Sequence, residues 1–353
     1  MKYITAFVFI ILIDPLFADI TEPRIGFNPL FDENSSSDSL ANFSTLDREY
    51  GDIELILDFK SSSGEVSGLY LRGDNEIHTG IETEPNKWNK LKLRHIGNRM
   101  WIWLNDDLIL DGLETCPFIE NQESLPAKGR IRLESADGVM KWANIWVREL
   151  VPEEANEYLR VNESGIGFSP VFNGKDLDGW RGDKVGKSVH DEVLKWEGGG
   201  HLYTEDQYTD FILRFEFTLS PGANNGLAIR STGHGNPAYD AMTELQILDN
   251  NSQRYEELDS RQYHGSAYGM AAARRGYLRN PGEWNYQEVQ VIGSTIRVEL
   301  NGTVILETDL SEVTDYLQNK EHPGKMLEEG YIGFAGHGNH ALQFRNISIK
   351  EVD

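Results

Sequence analysis

Two stretches of this chain carry the same motifs in the same order, so the fold must be one that can be built twice. The first opens with Gly26-Phe27-Asn28-Pro29-Leu30-Phe31 and the second with Gly167-Phe168-Ser169-Pro170-Val171-Phe172. Tyr50-Gly51-Asp52-Ile53 is answered by Tyr208-Thr209-Asp210-Phe211, and Ser67-Gly68-Leu69-Tyr70-Leu71-Arg72 by Asn225-Gly226-Leu227-Ala228-Ile229-Arg230. Trp88-Asn89, Gly97 and Asn105 match Trp284-Asn285, Gly293 and Asn301. Gly129-Arg130-Ile131 and Asn144-Ile145-Trp146-Val147 match Gly330-Tyr331-Ile332 and Asn346-Ile347-Ser348-Ile349. The matched segments are short and alternate in polarity: Phe211, Leu213, Phe215 and Phe217 interleave with Ile212, Arg214 and Glu216. That is the period of half-buried antiparallel strands, punctuated by turns such as Asn301-Gly302 and Pro221-Gly222. The expected fold is all-β, with two tandem β-sandwiches of the concanavalin-like or jelly-roll kind. They are expected at residues 21–150 and 165–353, joined by a linker at 151–164.

The two copies differ in length at defined places. The opening motifs are offset by 141 residues, the Arg72/Arg230 segments by 158 and the Trp88/Trp284 segments by 196. Copy two has therefore gained 17 residues before Arg230 and 38 more between Arg230 and Trp284. Insertions in one copy of a repeated scaffold point to function in that copy.

The chain has 353 residues and a formal net charge of −24. So acidic a surface repels nucleic acid and anionic membranes, and it tolerates neutral sugars. Met1-Lys2, the apolar run Ile4–Ile13 and Phe17-Ala18 read as a secretory signal peptide over residues 1–18, cleaved after Ala18. Export to the periplasm or outside the cell is the expectation. Cys116 is the one cysteine, so neither an internal disulfide nor a thiolate-built zinc site is available.

Strand parity sorts the candidate residues of copy two. Glu244 and Gln246 share one face of their strand, and Leu245, Ile247 and Asp249 share the other. By the same alternation Ala228 and Arg230 share a face opposite Leu227 and Ile229. The polar sets are expected to line a concave, sugar-holding surface. Arg and Gln offer forked donors and acceptors for vicinal hydroxyls. Trp180, Tyr239, Tyr268 and Trp284 could serve as platforms for a sugar face. Asp249-Asn250-Asn251 reads as a turn, with ligand placement or calcium binding as the alternative.

Copy two resembles the 3-keto-disaccharide hydrolase family. The resemblance is carried by Phe172-Asn173-Gly174-Lys175-Asp176-Leu177-Asp178-Gly179-Trp180, Asn225–Arg230, Glu244–Asp249, Ala267-Tyr268-Gly269, Pro281-Gly282-Glu283-Trp284-Asn285, Gly333–Gly338 and Phe344–Ile347. Two places depart from the family: Arg279-Asn280 stand where a lysine is expected, and Ala335-Gly336 where a Gln-Asp pair is more usual. The resemblance implies cleavage of 3-keto-glycosides by removal of the C2 proton, elimination at C1 and hydration. It makes Glu244 and His337 the candidate acid and base, without assigning which is which. It makes Arg230 the candidate stabiliser of the enolate, and Gln246, Asp249, Tyr268, Trp180 and Tyr239 substrate-binding residues. No cofactor is implied, and a divalent metal is left open. No Gly-rich dinucleotide fingerprint is present, so a separate oxidoreductase would have to make the ketone.

Three other readings compete. A non-catalytic carbohydrate-binding module needs exposed aromatic platforms. An ordinary glycosidase needs two carboxylates roughly 5–10 Å apart across the cleft. A structural adhesin needs no cluster at all. The 3-keto reading requires Glu244, Arg230 and His337 to converge on one sugar ring. Copy one keeps Arg72 but lacks the Glu-x-Gln strand and a counterpart of His337, which makes it an inactive or sugar-binding sibling.

Overall fold

The alternating segments pair as antiparallel strands throughout the computed structural model, which describes residues 26–30, 43–72, 75–77, 82–120, 124–134, 139–161, 166–338 and 340–352. The signal-peptide segment lies outside them. Among the described residues the strands form four sheets, two per sandwich. In the first sandwich a six-stranded sheet runs Asn28–Pro29, Met140–Glu149, Ile53–Ser61, Trp88–Ile96, Arg99–Leu104, Asp107–Glu114. It faces a four-stranded sheet in the order Phe43–Tyr50, Gly129–Glu134, Leu69–Leu71, Asn75–Glu76. In the second, the larger sheet is centred on Ala341–Glu351, Phe211–Leu219 and Asn285–Ile292. The smaller has five strands in the order Trp180–Gly182, Gly200–Tyr208, Gly330–Gly336, Asn224–Ser231, Thr243–Leu248. The chain is two tandem β-sandwiches.

Each sandwich closes over its own core. Phe211, Leu213, Phe215 and Phe217 pack with Phe334, Phe344, Leu227 and Ile247 in the second. Leu55, Leu57, Phe59, Leu91 and Leu133 do so in the first. The opposite, polar face of the Phe211–Leu219 strand is covered as well. Arg214 and Glu216 are buried, and Glu216 binds Arg345, Asn346 and Asn156.

Residues 152–161, expected within the linker, form a helix. Pro152 opens it, where the missing N–H costs nothing. Glu153 and Glu154 stand in its first turn and Arg160 in its last, in keeping with the helix dipole. Ala155, Asn156 and Leu159 are buried. Leu159 and Ala155 share a cluster with Ile96 and Trp101 of the first sandwich and Tyr286 of the second.

The two sandwiches repeat one irregular device. Arg72 and Arg230 both take positive φ, 55° and 45°. Arg230 donates to the carbonyls of Thr209, Gly293 and Leu327 and to Asp210. Arg72 donates to the carbonyls of Gly97 and Gly51 and to Asp52. The same aspartates accept the amides of Gly293 and Gly97. Each arginine thus ties a strand end to the neighbouring hairpin of the other sheet.

Candidate active site

Five strands bring their side chains into register on the outer face of the smaller sheet in the second sandwich. Arg181, Tyr203, Gly333, Ala228 and Glu244 stand side by side across it. His201, Ala335, Gly226 and Gln246 form the next row. Beyond them the His337 amide donates to the Asn224 carbonyl. The two central strands therefore show only glycine and alanine, and the outer strands carry the functional side chains. The result is a trough with a bare floor.

The bare floor is a steric requirement. A Cβ at Gly226 would lie 1.8 Å from Glu244 Oε1, and one at Gly333 would lie 2.4 Å from the Tyr203 ring. Glu244 and Tyr203 thus lean inward from opposite walls, over residues that leave them room. The other face of the same strands, Leu202, Phe334, Leu227, Leu245 and Ile247, fills the core.

Glu244 meets His337 at the centre of this surface, with Oε1 2.9 Å from Nε2. Their exposures divide the roles. The Glu244 side chain is 2 % exposed and that of His337 41 %. The carboxylate is the buried partner, and the imidazole is the group that a ligand can reach. The hydrogen bond that His337 donates to Glu244 lifts the His337 pKa above the ordinary histidine value, against the opposing effect of burial. His201 lies beside it, ring centroids 6.4 Å apart. Burial, then the neighbouring His337, lowers the His201 pKa. Gln246 donates to Asn224 at 2.8 Å. Asn224, Arg254, Tyr255, Gly338 and His340 continue from His337 around a cavity of about 360 Å³, within the range of small-molecule sites.

Tyr268 stands at the Glu244 wall. Its amide donates to the Glu244 carbonyl and its hydroxyl accepts from Gln262. Tyr239 meets it edge-on at 6.3 Å and is itself capped by Lys320, 3.3 Å from the ring centroid. Both rings are half-buried.

Three residues expected at the site are elsewhere. Arg230 does not join Glu244 and His337. Its positive φ, and the register shift between Ala228 and Ser231, break the alternation that would have placed it beside Ala228. Its guanidinium is instead spent on carbonyls and Asp210 at the strand's end. Trp180 is 1 % exposed and stacks on Phe334 at 5.9 Å, so it is a core aromatic rather than a sugar platform. Asp249 is buried and accepts the amides of Gly222 and Asn251, which makes it the carboxylate of a turn. Trp284, the other candidate platform, packs its ring under Arg345 at 3.9 Å on the larger sheet. Larger cavities of about 490 and 610 Å³ adjoin Arg72 and Arg230, but the terminal nitrogens of both arginines are held by protein acceptors. Among the described residues no three His, Cys, Asp or Glu side chains gather as a metal site would require.

Sequence reading missed His201, Tyr203 and Asn224. The alternation of His201 and Tyr203 with Leu202 and Thr204 was visible. Which strand neighbours Glu244 depends on sheet order, and alternation does not carry that.

Among its described residues the first sandwich has no such trough. Tyr70 pairs with Arg132 as Ala228 pairs with Gly333, and Glu134 occupies the place of Ala335. Arg132 lies 3.8 Å over the Tyr70 ring, and the Tyr70 hydroxyl bonds Glu134. Large side chains fill the surface that the second sandwich leaves bare.

Fold and site define a tandem β-sandwich protein with a carboxylate–imidazole pair on the outer face of one sheet. The 3-keto-α-glucoside-1,2-lyase-like domain family matches residues 79–148 and 167–350, most of the chain, and the chain belongs to this family. It is 30 % identical over 238 residues to a 3-keto-disaccharide hydrolase of Bacteroides thetaiotaomicron, spanning 55 % of this chain and 82 % of that protein. Two crystal structures from Parabacteroides distasonis, each described as a candidate glycosyl hydrolase, are also similar. One is 28 % identical with a TM-score of 0.49, covering 52 % of this chain and 99 % of that one. The other is 26 % identical with a TM-score of 0.47, covering 54 % and 96 %.

Proposed function

We propose that this chain cleaves 3-keto-glycosides on the trough of its second sandwich, by elimination followed by hydration. Family membership makes it an enzyme of glycosidic bonds, and the name of the B. thetaiotaomicron relative supports a 3-keto-disaccharide as substrate. The observation that carries the mechanism is an exposed His337 backed by a buried Glu244 over a floor of glycine and alanine.

A ketone at C3 acidifies the C2 proton. His337 takes that proton through Nδ1, because Nε2 faces Glu244. The electron pair left at C2 delocalises into the ketone as an enolate. It then forms the C1=C2 double bond as the C1–O bond breaks and the leaving oxygen gains a proton. Water adds back across C1=C2, its oxygen to C1 and a proton to C2. Glu244 holds the ring in the useful tautomer and stabilises the imidazolium; a general base of this kind contributes about 10²–10⁴-fold. In this reading Gln246, Asn224 and Tyr268 bind sugar hydroxyls.

The burial of Trp180 and the packing of Trp284 argue against a binding module built on aromatic platforms. A carboxylate paired with a histidine, rather than facing a second carboxylate, argues against an ordinary glycosidase. The ketone would come from a separate oxidoreductase. Export rests on residues 1–18 of the sequence alone. The test is release of a chromogenic leaving group from a 3-keto-glucoside, with His337→Ala and Glu244→Gln alongside. Absence of release, or full activity in both variants, overturns the assignment.

A further inference from the structure

We propose that His201 is a second catalytic residue of this site, donating its Nε2–H to the substrate ketone oxygen as C2 loses its proton. This rests on the elimination chemistry proposed above. That chemistry needs a group to hold the negative charge that appears on the ketone oxygen, and Arg230 cannot be it. An enolate oxygen only about 2.4 Å from C2 requires its donor close to the base.

His201 meets that requirement by position. Its strand stands next to the one that runs into His337, and its ring lies 6.4 Å from that of His337, at 66° to it. Across the trough its row continues through only Ala335 and Gly226 to Gln246, beside the row that ends in Glu244. Its Nδ1 is buried. The neutral ring serves as a donor to the substrate when its proton sits on Nε2.

Its ionisation suits the role. Burial and His337 hold His201 below the usual histidine value, while Glu244 holds His337 above it. Two imidazoles driven apart in this way divide the work: one is a base, the other stays neutral and polarises. The elementary step balances. The C2–H pair moves into the C2–C3 bond, the ketone pair moves onto oxygen, His337 gains the proton, and His201 contributes a hydrogen bond without a net transfer.

The test separates enolisation from cleavage by using a 3-keto-1,5-anhydrosugar, which has no leaving group at C1. Deuterium uptake at C2 in D₂O, followed by NMR, reads the first step alone. The wild-type protein should exchange this proton, and His337→Ala should not. His201→Phe should lower exchange about 10²–10³-fold, as loss of one oxyanion donor does. His201→Gln, which keeps a neutral N–H donor, should retain more than the Phe variant, and this ordering holds even if the Phe variant is less stable. Unchanged exchange in a folded His201→Phe protein overturns the proposal. So does intact exchange with slower release of poor leaving groups only, which would make His201 the acid at C1. A wild-type protein that cleaves the chromogenic glycoside without exchanging C2 overturns the elimination reading itself, and this proposal with it.

Discussion

At the scale of single residues, the Glu244–His337 contact predicts a particular pH dependence. The base must be unprotonated, and Glu244 raises the His337 pKa. The acid limb of kcat/KM should therefore lie above the ordinary histidine value of about 6.5. Glu244→Gln removes the negative charge and should move that limb to lower pH, while the plateau falls about 10²-fold. A limb that stays in place in the variant would show that the pair does not titrate as described. The same raised pKa means that its contribution to stability is present at low pH and is lost as pH rises through the folded value. Gly226→Ala probes the floor independently. Its backbone is not in a glycine-only conformation, so the fold should persist. The new Cβ would displace the Glu244 carboxylate, and an error of about 1 Å at a catalytic group costs about 10²-fold. Activity should fall by that order, with overpacking costing about 1–3 kcal/mol of stability, too little to unfold the protein at room temperature. Glu244 could be read from the regular parity of its strand, and His337 through the family motif Gly333–Gly338. Arg230 could not, because a single residue at φ 45° reverses its face, and no residue type announces that.

At the scale of elements, most of the strands were legible, since Phe211–Leu219 and Thr295–Leu300 alternate cleanly. The helix at Pro152–Val161 was not: Ala155, Tyr158 and Leu159 recur at helical spacing, but the segment is short and its Glu and Asn residues read as a polar connector. Sheet order was also hidden, and with it the row that joins His201 to Gln246. The arginine staple is the element-scale device that both sandwiches share. Arg230→Met would leave three carbonyls without their donor and Asp210 without its ion pair. The expected loss is about 3 kcal/mol, or a melting decrease on the order of 10 °C. Turnover per folded molecule should be unchanged at room temperature. Thermal unfolding monitored alongside 3-keto-glycoside cleavage tests this. A large loss of kcat at unchanged stability would return Arg230 to the active site.

At the scale of the whole molecule, the two sandwiches are joined by contacts of several kinds. Leu159 and Ala155 of the helix, Trp101 and Ile96 of the first sandwich and Tyr286 of the second form one apolar cluster. Around it Arg279 reaches Asp52, Arg297 reaches Glu114, and Arg99 pairs with Glu299. The Asn98 amide donates to the Gly302 carbonyl across the same boundary. Arg279, which stands where the family has a lysine, also holds Asn156 of the helix and the Trp284 carbonyl. Its planar fork meets several acceptors in a fixed geometry, where a lysine ammonium would act as a point charge. A boundary with buried apolar residues and paired charges couples the unfolding of the two halves. Calorimetry of the wild-type protein should therefore give one transition. Leu159→Ala empties the centre of the cluster at a cost of about 2–5 kcal/mol. It should separate the transition into two, or broaden it until the calorimetric enthalpy exceeds the van't Hoff value. Because Leu159 is remote from Glu244 and His337, cleavage by the folded variant should persist. Two transitions already present in the wild-type protein would show that the sandwiches fold independently and that the helix only tethers them.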